Sequence, residues 1–194
     1  MDFVLDLDKS LFVFFNSLGS EYFDSFWLFI SESDIIEVIY LFLVIEFLRF
    51  FKIKDLKSIL IFLLSMILMI VFTDQSSNFF KEFFERLRPC HNPELIEIIR
   101  IVKDGCGGLY GFFSAHAANT FAFASFIYFL RPNENNYKRT SSYLFIWAAI
   151  ISYSRIYIGV HFPLDIIIGA IYGLLSGYLF HKPFLYFRKS KLIL

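Results

Sequence analysis

Apolar residues fall along this chain in long blocks divided by short polar links. Blocks rich in Leu, Ile, Val and Phe run at about 35–51, 58–73, 114–130, 141–158 and 163–180. About 17–25 predominantly apolar residues let a helix cross the hydrocarbon of a bilayer, so the pattern predicts five membrane-spanning helices. The second block continues as a polar-striped helix to about residue 87. The first 33 residues are apolar but interrupted. Leu11 to Phe15 and Phe26 to Ile30 flank Asn16, Gly19, Ser20, Glu21 and Asp24. That break predicts two short amphipathic helices lying at the membrane interface; if residues 10–31 cross instead, the spans number six. The expected fold is an all-α polytopic bundle. Residues 1–33 form its interfacial segment, 34–182 its membrane domain with an outer loop at 88–112, and 183–194 a basic cytoplasmic tail.

Composition supports the class. Hydrophobic residues make up 57% of 194 residues, aromatics 21% with 28 Phe, and charged residues 19%. The apolar share exceeds the roughly 45–50% usual in soluble domains. Net charge is zero and no long basic block occurs, which argues against a nucleic-acid partner. The acidic start, Met1-Asp2-Phe3-Val4-Leu5-Asp6, lacks a small-residue cleavage site, so no signal peptide is expected. Lys52, Lys54, Lys57, Arg131, Lys138, Arg139, Lys182, Arg188, Lys189 and Lys191 fall on one side of a five-span bundle. By the positive-inside rule that side is cytoplasmic. The 88–112 loop and the 154–162 connection then face outward, whichever way the N-terminus lies. Within the first span, Glu46 has Arg49 one turn away to neutralise it.

Three outward clusters hold the candidate chemistry. Asp74, Asn78, Lys81, Glu85 and Arg88 are spaced four, three, four and three, one stripe down a helix face. Arg88-Pro89 should end that helix with a guanidinium on its last turn. Next, Ser114 is a natural N-cap for the third span, with Ala115 offering a backbone amide and His116 in the first turn. A helix N-terminus of this kind favours anions. Third, Arg155, His161 and Asp165 lie in Ser154-Arg155-Ile156-Tyr157-Ile158-Gly159-Val160-His161-Phe162-Pro163-Leu164-Asp165. Ionisable groups in such apolar sequence are costly and therefore functional candidates. Pro163 suits a first helical turn, from which Asp165 can reach one nitrogen of His161 and fix its tautomer. Arg155 offers a forked donor suited to phosphate. Three spaced cations, two histidines and a histidine-orienting carboxylate describe an oxyanion site with proton transfer. The surrounding cations argue against a divalent metal, and no cofactor is expected.

Lys81 with six residues before Arg88-Pro89, Ser114-x-His116, and Ser154-Arg155 with five residues before His161 and three more before Asp165 resemble the type-2 phosphatidic acid phosphatase superfamily. The resemblance covers about residues 74–180. It implies a metal-independent phosphohistidine mechanism in which His161 is the nucleophile, Asp165 its orienting partner and His116 the acid. Lys81, Arg88, Ser114 and Arg155 would hold the phosphoryl oxygens. The family's middle motif commonly reads Pro-Ser-Gly-His, whereas Phe113 and Ala115 stand here at the Pro and Gly positions; alanine still supplies a backbone N–H.

The expected activity is removal of a terminal phosphate from a lipid phosphate or pyrophosphate at the outer face of a bacterial inner membrane. Undecaprenyl pyrophosphate is the first choice. Lipid A phosphates, phosphatidylglycerol phosphate and phosphatidic acid are the alternatives, as is transfer to another lipid or sugar by a phosphotransferase. Vanadium haloperoxidases share the constellation but are soluble. Partners are the lipid substrate and the bilayer, and the bundle is expected to be a monomer. Cys90 and Cys106 bracket the outer loop with fifteen residues between them. They are either one bridge, contributing about 3 kcal/mol in an oxidising compartment, or two free thiols. Gly169, Gly173 and Gly177 repeat every fourth residue on the fifth span, a spacing that permits close helix approach and points to packing within the bundle.

Overall fold

The computed structural model describes residues 2–50, 55–130 and 135–190. Among them are seven α-helices: α1 Asp2–Ser17, α2 Glu21–Ser31, α3 Ser33–Phe50, α4 Leu56–Phe84, α5 Ala115–Phe129, α6 Asn135–Tyr157 and α7 Pro163–Ser190. The fold is all-α. Leu56–Phe84 and the Pro163–Phe187 part of α7 are each long and apolar enough to cross a membrane. Outward along α4 stand Leu60, Leu64, Ile67, Leu68, Val71 and Phe72, all exposed. A soluble protein would bury such a surface; here it matches lipid.

α5 is the axis of the bundle. Ala117, Ala118, Ala122 and Phe126 are fully buried on it, and α4, α6 and α7 all pack against it. The closest approach is to α7, and glycine permits it. A Cβ at Gly169 would lie 2.7 Å from the Ser114 carbonyl oxygen, and Cβ atoms at Gly173 and Gly177 would collide with the Ala118 and Ala122 carbonyls. The four-residue repeat thus packs α7 within the bundle. Farther along, Phe47 of α3 stacks on Phe62 of α4 at 4.9 Å, and Phe62 meets Phe126 and Phe184 at 5.6 and 5.5 Å. Large rings in contact across four helices make the core close-packed rather than merely greasy.

Several boundaries differ from those read in the sequence. α4 stops at Phe84, because Glu85 turns left-handed (φ 48°) while its N–H still bonds the Lys81 carbonyl at 3.0 Å. Arg88 therefore lies beyond the helix, in the loop. α6 begins at Asn135 rather than 141, and α7 runs through Pro183 to Ser190, so most of the expected tail is helical. Residues 51–54, 131–134 and 191–194, which include parts of the basic links and tail, lie outside the described residues. The Arg49–Glu46 pair forms at 2.9 Å.

The two N-terminal helices form as expected and are two-faced. Phe3, Leu7, Leu11 and Phe14 are exposed along one side of α1, whereas Asp8, Phe12 and Asn16 are buried along the other. α1 packs on α6 and α7, and α2 on α6 and α3, so both cover the end of the bundle where α6 hands over to α7.

Candidate active site

The α6–α7 connection brings Arg155 and His161 together by folding back on itself. Val160 and His161 both donate their backbone N–H to the Arg155 carbonyl, at 3.1 and 3.3 Å. The reversal passes through Gly159 at φ +87°, where a Cβ would also press on the Arg100 carbonyl at 2.8 Å; only glycine fits without strain. Immediately beyond, Asp165 in the first turn of α7 accepts the Phe162 N–H on Oδ2 at 3.0 Å and places that oxygen 3.4 Å from His161 Nδ1. His161 and Asp165 are 2% and 0% exposed, so the dyad forms in a desolvated setting.

α5 delivers the second cluster. Ser114 caps it, accepting the Ala117 N–H at 3.5 Å, and the Ser114 N–H donates to the Asp165 carbonyl at 3.1 Å. The starts of α5 and α7 are thereby tied together, with Ala115 and His116 in the first turn of α5. Ser77 of α4 fixes the approach by donating to the Phe113 carbonyl at 2.9 Å. The stripe on α4 is present as hydrogen bonds: Lys81 donates to Asn78 at 3.3 Å and Asn78 to Asp74 at 3.4 Å. Arg88 arrives by a different route from the expected helix turn. Leu87 and Tyr110 pair as an antiparallel bridge, and the Arg88 guanidinium group donates to the carbonyls of Tyr110 at 3.2 Å and Cys106 at 3.1 Å. At Gly111 a Cβ would stand 3.2 Å from both Arg88 Cγ and Asp165 Oδ2, so the loop threads closely between the two.

The electrostatics agree with an anion site. Burial first, then the charges of Arg88, Arg155 and Lys81, push the His161 imidazole well below the ordinary histidine range, opposed in part by a hydrogen bond to the Gly111 backbone. Burial and Asp165 act in opposite senses on Arg88, with a net lowering. Lys103, an exposed loop residue unremarked in the sequence, is lowered by partial burial and by the charges of Arg155 and Arg88, with Glu32 opposing. Arg155, Lys103 and Lys81 are in turn charged neighbours of His116. Arg155 donates to the Ser31 carbonyl at 3.1 Å and to its hydroxyl, while its Nε is buried with no partner among the described residues. A buried guanidinium N–H without an acceptor is a costly arrangement that an incoming oxyanion would relieve. Among the described residues, Cys90, His91 and Cys106 of the loop lie close enough to share a metal ion, a use that pairing of the two cysteines removes.

A cavity of about 680 Å³ opens beside His116 between α3, α4 and α5. His116, Asp74, Gln75 and Asn119 supply its polar lining, and Tyr40, Val44, Leu63, Met66 and Ile70 an apolar one. Such a polar-to-apolar gradient suits an amphiphile.

Residues 58–189, about two thirds of the chain, match the PAP2 superfamily. The chain belongs to that superfamily. As a PAP2 protein it is a membrane lipid phosphatase, a phosphoric monoester hydrolase. It is 36% identical to a lipid A 4'-phosphatase of Porphyromonas gingivalis over 97% of this chain and 77% of the relative. It is 34% identical to one of Bacteroides thetaiotaomicron over 93% of this chain and 78% of the relative. Among solved structures, Aquifex aeolicus LpxE superposes with a TM-score of 0.61 at 26% identity, over 91% of this chain and 95% of that one. A transmembrane PAP2-type phosphatidylglycerolphosphate phosphatase of Bacillus subtilis gives 0.69 at 19% identity, over 93% and 85%, a likeness of fold.

The structure gathers His161, Asp165 and Arg155 in direct succession and sets Lys81, Arg88, Ser114 and His116 around them. Sequence reading missed Arg86, which pairs with Asp165 at 2.7 Å and with Asp8 at 2.5 Å, and Ser31. No spacing signal links either to the site. Cys90 and Cys106 are paired in the structure, their Cα atoms 6.2 Å apart. If the pair is oxidised in the native protein, the thiols should resist alkylation until a reductant is added, as read by intact mass. Two thiols reactive without reductant would dismiss the bridge.

Proposed function

We propose that this PAP2 phosphatase removes a phosphate from a lipid A-type glycolipid by way of a phosphohistidine on His161. Near-full-length similarity to two lipid A 4'-phosphatases is the observation that favours this substrate. It favours a lipid A phosphate over undecaprenyl pyrophosphate, the first choice from the sequence. The cavity supports the reading, because Asp74, Gln75 and Asn119 offer partners for sugar hydroxyl and amide groups beside His116, with an apolar wall beneath for acyl chains.

In the proposed cycle, neutral His161 attacks phosphorus while His116 donates its proton to the departing sugar oxygen; a P–N bond forms as the P–O bond breaks. Lys81, Arg88, Arg155, Ser114 and the Ala115 amide hold the phosphoryl oxygens in line, as phosphoryl transfer requires. Water then attacks phosphorus, His116 takes its proton, and phosphate leaves with His161 restored. The five helices α3 to α7 would each cross the bilayer. The dyad lies at the start of α7, while Lys182 lies toward its other end, about 25 Å along the axis, so the positive-inside rule turns the site outward.

Phosphate release should be measured from micellar lipid A bisphosphate, undecaprenyl pyrophosphate, phosphatidylglycerol phosphate and phosphatidic acid, with the product of the first mapped by mass spectrometry. The expected result is a kcat/KM for lipid A at least about tenfold above the others, a difference of about 1.4 kcal/mol. A tenfold preference for undecaprenyl pyrophosphate would overturn the substrate. Product formation only with an acceptor lipid, and without free phosphate, would make the chain a phosphotransferase.

A further inference from the structure

The family match begins at residue 58, yet the inward face of α1 is applied to the catalytic connection and to the outer loop beside it. Asn16 donates to the carbonyls of Ile156 at 3.2 Å and Tyr157 at 3.0 Å. Phe12 meets the Phe162 ring edge-on at 5.3 Å. Asp8 accepts the Leu164 N–H on Oδ1 at 2.8 Å and Arg86 Nη2 on Oδ2 at 2.5 Å. Arg86 carries the contact onward: its Nη1 donates to Asp165 Oδ1 at 2.7 Å, and its guanidinium carbon sits 4.3 Å from the centre of the Phe162 ring.

One guanidinium thus serves two buried carboxylates while standing against the Phe162 ring. Asp165 Oδ1 is engaged by Arg86, while Oδ2 faces His161 Nδ1 and accepts the Phe162 amide. We propose that Arg86 is a positioning residue for the His161–Asp165 dyad, and that Asp8, supplied by α1, sets how much of the Arg86 charge reaches that dyad. The N-terminal helix is then part of the catalytic apparatus rather than only a membrane-surface anchor.

This inference rests on the phosphohistidine reading of the site, and the signs of two charge changes test it. The charged and titratable groups around His161 are Asp8 from α1, Lys81 from α4, Arg86, Arg88 and Lys103 from the loop, His116 from α5, Arg155 from α6 and Asp165 from α7. Arg86→Gln removes a positive charge, favours protonated His161, and should move the acid limb of the kcat–pH profile up by about one unit. Asp8→Asn removes a negative charge and should move it down by about half a unit. A merely structural clamp would lower activity in both variants without opposite shifts. The position of a limb does not depend on the fraction of protein that folds, so residual activity suffices, and Asp8→Asn alone carries a sign if Arg86→Gln is too slow. Displacing the dyad by a fraction of an ångström should also cost Arg86→Gln about a hundredfold in kcat with little change in KM. Arg86→Lys keeps the charge but not the fork, so its limb should stay near that of the wild type with kcat down about tenfold. Lys9→Ala, which breaks the surface pair between α1 and Glu94, should leave the profile in place. Unshifted limbs, or shifts of the same sign in Asp8→Asn and Arg86→Gln, would overturn the proposal. If His161→Ala kept its turnover, the phosphohistidine reading itself would fall; an inert His161→Ala with unshifted limbs overturns the Arg86 role alone.

Discussion

Replacing His161 with alanine is expected to lower phosphate release by at least about 10⁴-fold, the scale on which a covalent nucleophile is lost. The expectation rests on more than the presence of a histidine. His161 is buried, one ring nitrogen is directed to Asp165, and burial together with Arg88, Arg155 and Lys81 disfavours its protonated form. In the proposed cycle the attacking species is the neutral imidazole. Because its pKa is lowered, the neutral form persists as pH falls through the ordinary histidine range, and the acid limb of kcat should lie below that range. The wild-type enzyme, quenched in alkali during turnover, should yield an N-linked phosphoenzyme by mass spectrometry, and the variant none. An alanine variant that retained a few per cent of activity would remove His161 from the nucleophile's role.

The parts of this site that are local in sequence were legible there. Ser114 announces a helix start because a serine before an Ala-rich run satisfies orphan amides, and it caps α5. Pro163 with Asp165 two residues on describes a first turn in the same way, and α7 begins at Pro163. Two boundaries misled. The polar spacing of Lys81, Glu85 and Arg88 continues the helical period past Phe84, but Glu85 takes a left-handed conformation for which a non-glycine residue gives no warning. His181-Lys182-Pro183 reads as a terminus, yet α7 continues through it, the loss of one backbone hydrogen bond being tolerable within a long helix packed against its neighbours. What could not be read was long-range. Arg86 meets residues 78 and 79 positions away, and Ser31 meets Arg155 across 124. In sequence, Asp8 is one acidic residue among several in an acidic segment. Only the packing of α1 on α6 and α7 separates it from the exposed Asp6.

His116→Gln should show the second-largest effect, about a 10³-fold loss of phosphate release from a lipid substrate, within the range for a general acid–base. A sugar alkoxide is a poor leaving group and, in the proposed cycle, departs with the proton of His116. An aryl phosphate such as p-nitrophenyl phosphate departs without one, so with that substrate the first step of the variant should be nearly restored. The second step is not, because water still has to be deprotonated for attack on the phosphohistidine. The variant should therefore release about one equivalent of nitrophenol per enzyme in a burst and then stall with phosphate on His161. Glutamine keeps much of the volume beside Asn119 and Thr120 at the cavity mouth, which separates loss of proton transfer from loss of packing. The wild-type enzyme should show no such stall, since in the proposed cycle one histidine serves first as acid and then as base. Equal losses for aryl and lipid substrates, with no burst, would instead place the role of His116 in binding the phosphoryl group.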